Sequence, residues 1–344
     1  MTNDRKVQHI AIINDDRDTD RRKGYFDAIH LTHRALPEIA LSEIDPSVTF
    51  LGKRLSFPLL ISCMTGGSHD MVRTINRNLA IAAEAEQVAM GVGSQRVMFS
   101  APEARASFSL RAVAPTAVLL GNLGAVQLNE GFGVAEARAA VDVLGADALV
   151  FHLNPLQEAV QPEGDTNFSG LAEKIGAVAR ALLPCPVIVK EVGAGISETD
   201  ARLLVDQGVR FIDVADSGGA SWSRIEHHRQ ESGGDDLGML FQDWGLPTPL
   251  ALRQLKPLRP GVTLIASGGV RSGIDMIKSV ILGASLCGLA SPFLRPAMES
   301  SDAVRRVIQR LRREFTTAMF LLGARTLSDV TDRDDFIISA PWKL

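Results

Sequence analysis

Cysteine is scarce in this chain of 344 residues, and long apolar runs are missing. The three cysteines, Cys63, Cys185 and Cys287, are widely spaced, odd in number and match no zinc pattern. Because disulfides belong to oxidising compartments, we expect reduced thiols in a cytoplasmic protein. No uninterrupted apolar run reaches the roughly 18 residues of a membrane-spanning helix, and the polar start lacks the apolar core of a signal peptide. Neither a membrane protein nor a disulfide scaffold is expected.

An excess of one charge is also lacking, since 36 lysines and arginines stand against 40 aspartates and glutamates. The formal net charge of -4 creates no field that would recruit polyanions, so local basic residues must bind any anionic substrate. No basic stripe with interleaved aromatic residues is present. Nucleic acid is therefore not expected as a partner.

What the sequence does contain is a regular alternation of short apolar segments with helix-like segments. The apolar segments have the length and the flanking Gly or Pro residues of strands buried on both faces of a sheet. They comprise residues 58–62, 88–92, 118–122, 148–154, 186–192, 211–217, 263–269 and 286–292. The helix-like segments include residues 69–87, 134–145, 170–183, 197–208 and 272–284.

Eight such βα units predict either a barrel or an open doubly wound sheet. Polar and Gly-rich residues gather after most strands, where barrel enzymes build their sites. We therefore predict an α/β fold, a (β/α)8 TIM barrel over residues 58–323. An N-terminal arm (1–57) precedes it and a C-terminal tail (324–344) follows it. Residues 218–246, after the sixth strand, form an insertion too long for an ordinary loop, which we expect to be functional or partly mobile.

The last two units carry a signal for phosphate binding. The sequence SGGVRSG (267–273) joins the seventh strand to a helix, and LASP (289–292) follows the eighth. Barrels often bind phosphate between these loops, where glycine admits backbone N–H groups and a helix N-terminus favours an anion. Arg271 would add a charge-assisted hydrogen bond. The alternative is a tight turn that needs glycine for its backbone angles alone.

Polar residues at two other strand ends are candidates for catalysis. Lys190 ends an apolar strand, so it points into the barrel mouth or snorkels, and its charge needs a partner. It is a Schiff-base lysine, a cation near a cofactor, or a structural partner of Glu191 or of an aspartate on a neighbouring strand. Strand alternation places His152 and Asn154 on one face, where both can contact one ligand.

The polar segment continues with Gln157 and Glu158. Glu158 is a single carboxylate without neighbouring His or Cys ligands, which disfavours zinc. It suits Mg²⁺, which commonly uses one or two carboxylates together with substrate phosphate oxygens and water. An ordinary polar loop has a similar composition.

Small residues follow the first two strands, in SCMTGGSHD (62–70) and GVGSQR (91–96). They permit the close approach of a flat ring, although Gly-Gly pairs are also ordinary turn formers. Ser94, Gln95 and Arg96 offer polar contacts. Cys63 is interpreted as a small buried thiol, because no His–Cys arrangement supports a nucleophile.

Together these segments resemble the type II isopentenyl-diphosphate isomerases, a family of FMN-dependent (β/α)8 enzymes. The resemblance runs in order over nearly the whole chain. Its family-specific parts are the Arg-Lys pair near the start, HLNPLQE (152–158) and the Trp-containing GGASWSRIE (218–226). The segment SGGVRSG is shared with many FMN barrels.

The resemblance implies an enzyme of isoprenoid biosynthesis that interconverts isopentenyl and dimethylallyl diphosphate with reduced FMN as the acid–base agent. It implies Mg²⁺ bound by Glu158, NAD(P)H as the reductant and a homo-oligomer, a tetramer or octamer. The catalytic residues would be Gln157, Lys190 and His152. The flavin contacts would be Cys63, Met64, Thr65, Ser94, Asn122, Lys190, Ser217, Gly269, Val270, Arg271, Ala290 and Ser291. The substrate contacts would be Arg5, Lys6, His9, Ser94, Gln95, Arg96, His152, Asn154 and Gln157.

The chain departs from this family after the sixth strand. The family usually has a threonine before the Ser/Asn-Trp pair, whereas this chain has Ala220. The preceding ADS (215–217) also differs from the expected small residues. The hydroxyl contact to FMN would then fall to Ser217 or Ser221.

Two alternatives to an isomerase stay open. One is an FMN oxidoreductase of the 2-hydroxy-acid oxidase or dihydroorotate dehydrogenase type, but DSGGASWSR lacks the histidine base that 2-hydroxy-acid oxidases carry there. The other is a flavin- or phosphate-binding regulatory barrel without activity, which the dense polar lining of the strand ends disfavours.

Overall fold

Eight parallel strands close into a barrel in the computed structural model, which describes residues 2–21, 24–229 and 235–341, with only the backbone for 2–7. They are β1 (Leu59–Ile61), β2 (Ala89–Gly91), β3 (Leu119–Gly124), β4 (Ala148–His152), β5 (Val187–Lys190), β6 (Phe211–Asp213), β7 (Thr263–Ser267) and β8 (Leu286–Leu289). Each strand pairs with its neighbours in sequence, and β8 pairs with β1 to close the barrel. The predicted (β/α)8 barrel is confirmed.

Most of the helices follow strands and pack around the barrel, whereas the first precedes the strands and lies at the carboxyl end. They are α1 (Thr2–Asp15), α2 (Asp70–Glu86), α3 (Val97–Ser100), α4 (Val134–Leu144), α5 (Pro155–Val160), α6 (Leu171–Leu182), α7 (Glu198–Asp206), α8 (Trp222–Arg229), α9 (Leu237–Leu240), α10 (Thr248–Leu255), α11 (Gly273–Ile281), α12 (Ser291–Glu299) and α13 (Ser301–Leu322). The predicted helices α2, α4, α6, α7 and α11 are confirmed. No helix in the described ranges is long and apolar enough to cross a membrane.

Strand alternation divides the apolar core into two layers. Leu60 and Leu120 point into the barrel and join an interior cluster. Their neighbours Ile61 and Leu119 face the helices and join a larger outer cluster. Because both faces are covered, the strands read as continuous apolar runs rather than as alternating ones.

A hairpin of the arm, residues 48–55, closes the amino end of the barrel. Its two short strands pair antiparallel, and Phe50 and Leu55 belong to the interior cluster. The ring of Phe50 meets that of Phe211, the first residue of β6, with centroids 6.0 Å apart. The arm therefore reaches both ends of the barrel, since residues 9–20 lie at the carboxyl end.

The predicted insertion after β6 is partly helical. It contains α8 and α9, and α8 packs against α1 and α5. Residues 230–234 of the insertion lie outside the described residues. In the C-terminal tail, Ile337–Ser339 pairs antiparallel with His30–Leu31 of the arm.

Helix α13 generates a stability prediction, because it packs against α2, α11 and α12. Leu311 is fully buried on this helix, whereas Leu321 is 39% exposed. We expect Leu311→Ala to lower the free energy of unfolding by about 2–5 kcal/mol through lost burial and a cavity. The matched change Leu321→Ala should cost less than about 1 kcal/mol. Urea denaturation of both variants measures this, and equal midpoints would contradict the packing described.

Candidate active site

A cavity of about 240 Å³ lies at the carboxyl end of the barrel, beneath the arm. It is larger than the roughly 150 Å³ of an engineered cavity that binds benzene, so it admits an aromatic ring. The segments after all eight strands contribute to its wall. The arm adds His9, Ile10, Ile13, Thr19 and Asp20. This is the end at which barrel enzymes place their active sites.

Most of the predicted site residues meet at this cavity. Those that line it are His9, Cys63, Met64, Thr65, Ser94, Arg96, Asn122, His152, Asn154, Gln157, Glu158, Lys190, Gly269, Val270, Arg271, Ala290 and Ser291. Arg5 and Lys6 fall within α1, but their side chains lie outside the described residues.

Gln95 does not line the cavity, and its contact with substrate stays a prediction. Its amide Nε2 donates to the carbonyl of Ala140 at 2.8 Å, and its Oε1 accepts from the amide of Asn122 at 2.9 Å. Both ends of this fully buried side chain are therefore used by backbone groups. Gln95 thus ties β3 to α4.

The two serines considered as replacements for the missing threonine also turn away from the cavity. Ser217 is fully buried, with its Oγ 3.4 Å from the hydroxyl of Tyr25. The Oγ of Ser221 donates to the carbonyl of Gln242 at 2.7 Å. Neither serine lines the cavity, whereas Ala220 does, so the FMN contact of Ser217 stays a prediction.

The loop after β7 packs backbone against backbone on the loop after β6. Gly268 has a φ of +94°, and a Cβ on it would lie 2.1 Å from the carbonyl oxygen of Asp216. The hydroxyl of Thr248 donates to the carbonyl of Gly268 at 2.5 Å. Glycine is therefore required here by close approach, as well as by its backbone angle.

The amino end of α11 is already capped by carboxylates. The amides of Arg271 and Ser272 donate to Asp275, at 3.0 and 3.1 Å, and that of Gly273 donates to Glu314 at 2.8 Å. These first amides donate to carboxylates, so the predicted phosphate site depends on the other residues of these loops. The predicted residues that line the cavity here are Gly269, Val270, Arg271, Ala290 and Ser291.

The guanidinium of Arg271 spans this corner of the cavity. It donates to the carbonyls of Gly269 at 2.9 Å and Gly218 at 2.6 Å. It also forms an ion pair with Asp20 of the arm, whose second oxygen accepts from Ser291 at 3.1 Å. Asp20 is not among the predicted site residues, and its sequence signal is a position within the charge-rich run that follows α1.

Lys190 and His152 are held by side chains of neighbouring strands. The ammonium of Lys190 lies 3.8 Å from Asp213 on β6 and donates to the carbonyl of Glu191 at 2.6 Å. The structural ion pair is therefore present, and Lys190 also lines the cavity. Nδ1 of His152 donates to Oδ1 of Asn122 at 2.7 Å, since an amide oxygen only accepts.

Burial raises the pKa of two side chains near the barrel mouth. Cys63 is half-buried at the cavity wall, and burial raises the pKa of its thiol, which keeps it protonated and disfavours a nucleophile. Burial and the nearby charges of Glu191 and Asp213 hold the pKa of Asp216 well above its ordinary value. The carboxyl of Asp216 therefore favours its neutral form.

Glu158 is the acidic side chain on α5, and it is 7% exposed. Its oxygens accept from Asn154 Nδ2 at 2.7 Å, from the Asp165 amide at 2.8 Å and from the Gln161 side chain. Among the described residues, no group of three or more His, Cys, Asp and Glu side chains could hold a metal. A cation at Glu158 would thus need most of its oxygen ligands from a bound molecule and water.

Glu226 on α8 is not among the predicted site residues, although it ends the segment GGASWSRIE. Its buried carboxylate accepts from Gln157 Nε2 at 2.6 Å and from His9 Nε2 at 3.1 Å, and it pairs with Arg229. Burial alone would raise the pKa of Glu226, but these partners lower it to about 2. The ionised carboxylate therefore links α1, α5 and α8. Trp222 of the same segment packs on His9, with ring centroids 5.1 Å apart.

Several buried polar atoms of the cavity wall have no hydrogen-bond partner within the described ranges. They include Ser62 Oγ, Thr65 Oγ1, Asn154 Oδ1, both carboxylate oxygens of Asp216 and Arg271 Nε. Native proteins contain few such atoms, because each costs about 1–3 kcal/mol. Their concentration at one cavity fits a bound molecule rich in donors and acceptors, as FMN and a diphosphate are.

Comparison with known proteins first defines the class. Residues 170–335 match the family described as FMN-dependent dehydrogenase. A mandelate oxidase mutant with an FMN adduct is 22% identical, with a TM-score of 0.64 over 90% of this chain and 88% of that one. A flavocytochrome b2 mutant with sulfite is 18% identical, with a TM-score of 0.67 over 93% and 78%. The fold is that of FMN-dependent TIM-barrel enzymes.

Closer relatives then define the family. Isopentenyl-diphosphate delta-isomerase of Paracoccus zeaxanthinifaciens is 56% identical over 337 residues, 97% of this chain and 96% of that one. The isomerase of Hydrogenovibrio crunogenus is 53% identical over 335 residues, 97% of each chain. Together with the FMN-dependent domain, these matches show that the chain belongs to the type II isopentenyl-diphosphate delta-isomerases and is an enzyme.

The Glu226 cluster generates a pH prediction. The folded pKa of Glu226 is about 2 against an ordinary value of 4.5, so its pairing stabilises the fold fully above pH 4.5 and is lost as the pH falls toward 2. We expect Glu226→Gln to lower the free energy of unfolding at pH 7 by about 3 kcal/mol. The difference from the wild type should shrink below pH 4.5.

The matched control is Glu163→Gln, which removes a half-exposed carboxylate bound to the same Arg229 at 2.7 Å. It should change the free energy of unfolding by less than about 1 kcal/mol. Urea denaturation at pH 7 and pH 3 measures both variants. A Glu226→Gln deficit that is equally large at both pH values would argue against the ionised cluster.

Proposed function

We propose that the protein interconverts isopentenyl diphosphate and dimethylallyl diphosphate, with FMN and substrate bound together in the barrel cavity. The observation that carries this proposal is that residues implied by the family resemblance converge on one cavity from seven strand ends and the arm. Identity of 56% to an isomerase over nearly the full chain supports the same substrates.

The described residues fit FMN. We assign the flavin ring to Cys63, Met64, Thr65, Ser94, Asn122 and Lys190, and the phosphate to Gly269, Val270, Arg271, Ala290 and Ser291. Thr65 Oγ1 and Arg271 Nε are buried without protein partners among the described residues, so a ligand in the cavity would satisfy them. When bound and reduced, FMN supplies an electron-rich acid–base group beside the substrate, and the double-bond shift has no net redox change.

Lys190 is assigned the role of a cation beside the flavin ring. Its pairing with Asp213 at 3.8 Å is longer than a direct hydrogen bond, so its charge still acts on the cavity it lines. A fixed positive charge in a water-poor site stabilises a negative charge next to it. Lys190 would thus favour the anionic reduced ring.

The substrate diphosphate is assigned to the basic and polar side of the cavity. The residues proposed for it are Arg5, Lys6, His9, Ser94, Arg96, His152 and Asn154. Gln157 is proposed to relay protons near the reacting carbons. Its amide donates to the ionised Glu226 at 2.6 Å, which fixes its orientation, so Glu226 acts as a positioning residue for Gln157.

We further propose Mg²⁺ at Glu158, NAD(P)H as the reductant and a cytoplasmic homo-oligomer of four or eight subunits. We divide the chain into an arm (1–57), the barrel (58–323) and a tail (324–344). Within the arm, the substrate role falls to the residues near the cavity, because the hairpin 48–55 closes the opposite end of the barrel.

An FMN oxidoreductase remains the second candidate, because the matched domain is described as FMN-dependent dehydrogenase. The oxidase and flavocytochrome structures are 22% and 18% identical, which supports a shared fold and nothing about substrate. A regulatory barrel without activity is disfavoured by membership in an enzyme family.

The first functional prediction separates an isomerase from an oxidoreductase. Purified protein with oxidised FMN should give no product, whereas protein reduced under nitrogen with dithionite or NAD(P)H should be active. Many molecules of dimethylallyl diphosphate should form per NAD(P)H oxidised, because the reaction consumes no electrons. Product and NAD(P)H are quantified in the same anaerobic sample. A ratio fixed near one would return the protein to the oxidoreductases.

The second functional prediction concerns the metal. Glu158→Gln should leave FMN content unchanged and raise the Mg²⁺ concentration needed for half-maximal activity by roughly tenfold or more, because the cation loses its one protein carboxylate. The control Glu163→Gln removes a nearby carboxylate that is not on the cavity wall and should keep the wild-type Mg²⁺ dependence. An unchanged Mg²⁺ requirement in Glu158→Gln would place the metal elsewhere.

A further inference from the structure

Asp20 of the arm holds the same donors that we assign to the FMN phosphate. One carboxylate oxygen pairs with the guanidinium of Arg271, and the other accepts from the hydroxyl of Ser291 at 3.1 Å. All three residues line the cavity. The guanidinium of Arg271 and the hydroxyl of Ser291 both donate to one carboxylate, and the same two donors suit a phosphate. The arm thus brings a negative group of its own to this position.

The backbone of the arm fixes Asp20 in place. Asp20 forms an antiparallel β-bridge with Ala220, and the carbonyl of Thr19 accepts from the amide of Ser221 at 2.8 Å. The guanidinium of Arg21 donates to five backbone carbonyls of the surrounding loops. The backbone that carries the Asp20 carboxylate to Arg271 is therefore held by hydrogen bonds on both sides.

Few other hydrogen-bond donors near Arg271 and Ser291 are available to a phosphate. Ala220 has no hydroxyl, and Ser217 and Ser221 turn away from the cavity. The first amides of α11 are taken by Asp275 and Glu314. Arg271 and Ser291 are the side-chain donors that remain among the predicted phosphate residues, and Asp20 contacts both.

We propose that Asp20 competes with the phosphate of a flavin for Arg271 and Ser291, and so sets how strongly the site prefers phosphorylated over unphosphorylated flavin. The inference rests on the proposed FMN site. Two anions that share one guanidinium repel each other, so Asp20 opposes a phosphate at Arg271 whether the phosphate takes the Nη2 donor of the ion pair or the unpartnered Nε. Riboflavin has no phosphate and leaves the Asp20 contacts intact.

The test is a pair of flavin titrations on the flavin-free full chain. Quenching of flavin fluorescence gives the Kd for FMN and for riboflavin in wild type, Asp20→Asn and Asp20→Ser. Both variants should bind FMN roughly twofold to fivefold more tightly, the range for a partly exposed ion pair, with an unchanged riboflavin Kd. The control Asp18→Asn removes an 82% exposed carboxylate from the same turn and should change neither Kd.

A double variant shows whether the effect passes through Arg271. In an Arg271→Ala background, Asp20→Asn should no longer tighten FMN binding, because the contested guanidinium is gone. Unchanged or weaker FMN binding in both Asp20 variants would overturn the competition. Equal tightening of riboflavin, or by Asp18→Asn, would also overturn it, since the cause would then be a general change of charge or arm position. A wild type that binds neither flavin would instead overturn the proposed FMN site, and this inference with it.

Discussion

A buried, ionised carboxylate on the insertion is the interaction on which the mouth of the barrel depends. Glu226 is fully buried, so its charge is tolerated only because His9, Gln157 and Arg229 surround it. These partners come from the arm, from α5 and from α8 itself, three segments that are not joined by strand pairing. The Glu226 carboxylate binds His9, which holds the arm over the cavity. The same carboxylate binds the amide of Gln157, which fixes the orientation of that side chain.

The barrel could be predicted from sequence because its physical cause is local. A strand covered on both faces must be apolar throughout, as in 186–192, and a helix must show a buried stripe, as in α2. These patterns repeat eight times and admit few topologies. The helix α1 escaped prediction because Ile10 is its one buried apolar residue among those with described side chains, which leaves almost no stripe to detect.

The site could be predicted only where polar residues come directly after predicted strands. Lys190, His152 and Arg271 could be predicted in this way together with the family resemblance, and all three line the cavity. This reasoning did not reveal that Gln95 and Ser217 turn away, because the direction of a side chain depends on backbone partners distant in sequence. Glu226 and Asp20 were missed for the same reason, since each meets partners more than 60 residues away. Such pairings leave no periodic signal.

Two strand pairings of the fold join distant parts of the chain, and this affects how the chain folds during synthesis. β1 pairs with β8 across more than 200 residues, and His30–Leu31 pairs with Ile337–Ser339 near the other terminus. During synthesis, β1 leaves the ribosome long before β8 exists, so one edge of a growing parallel sheet stays open. Contacts of such high sequence separation also slow folding, because loop closure precedes their gain. The β1 edge therefore stays available for incorrect strand pairing until β8 has been synthesised.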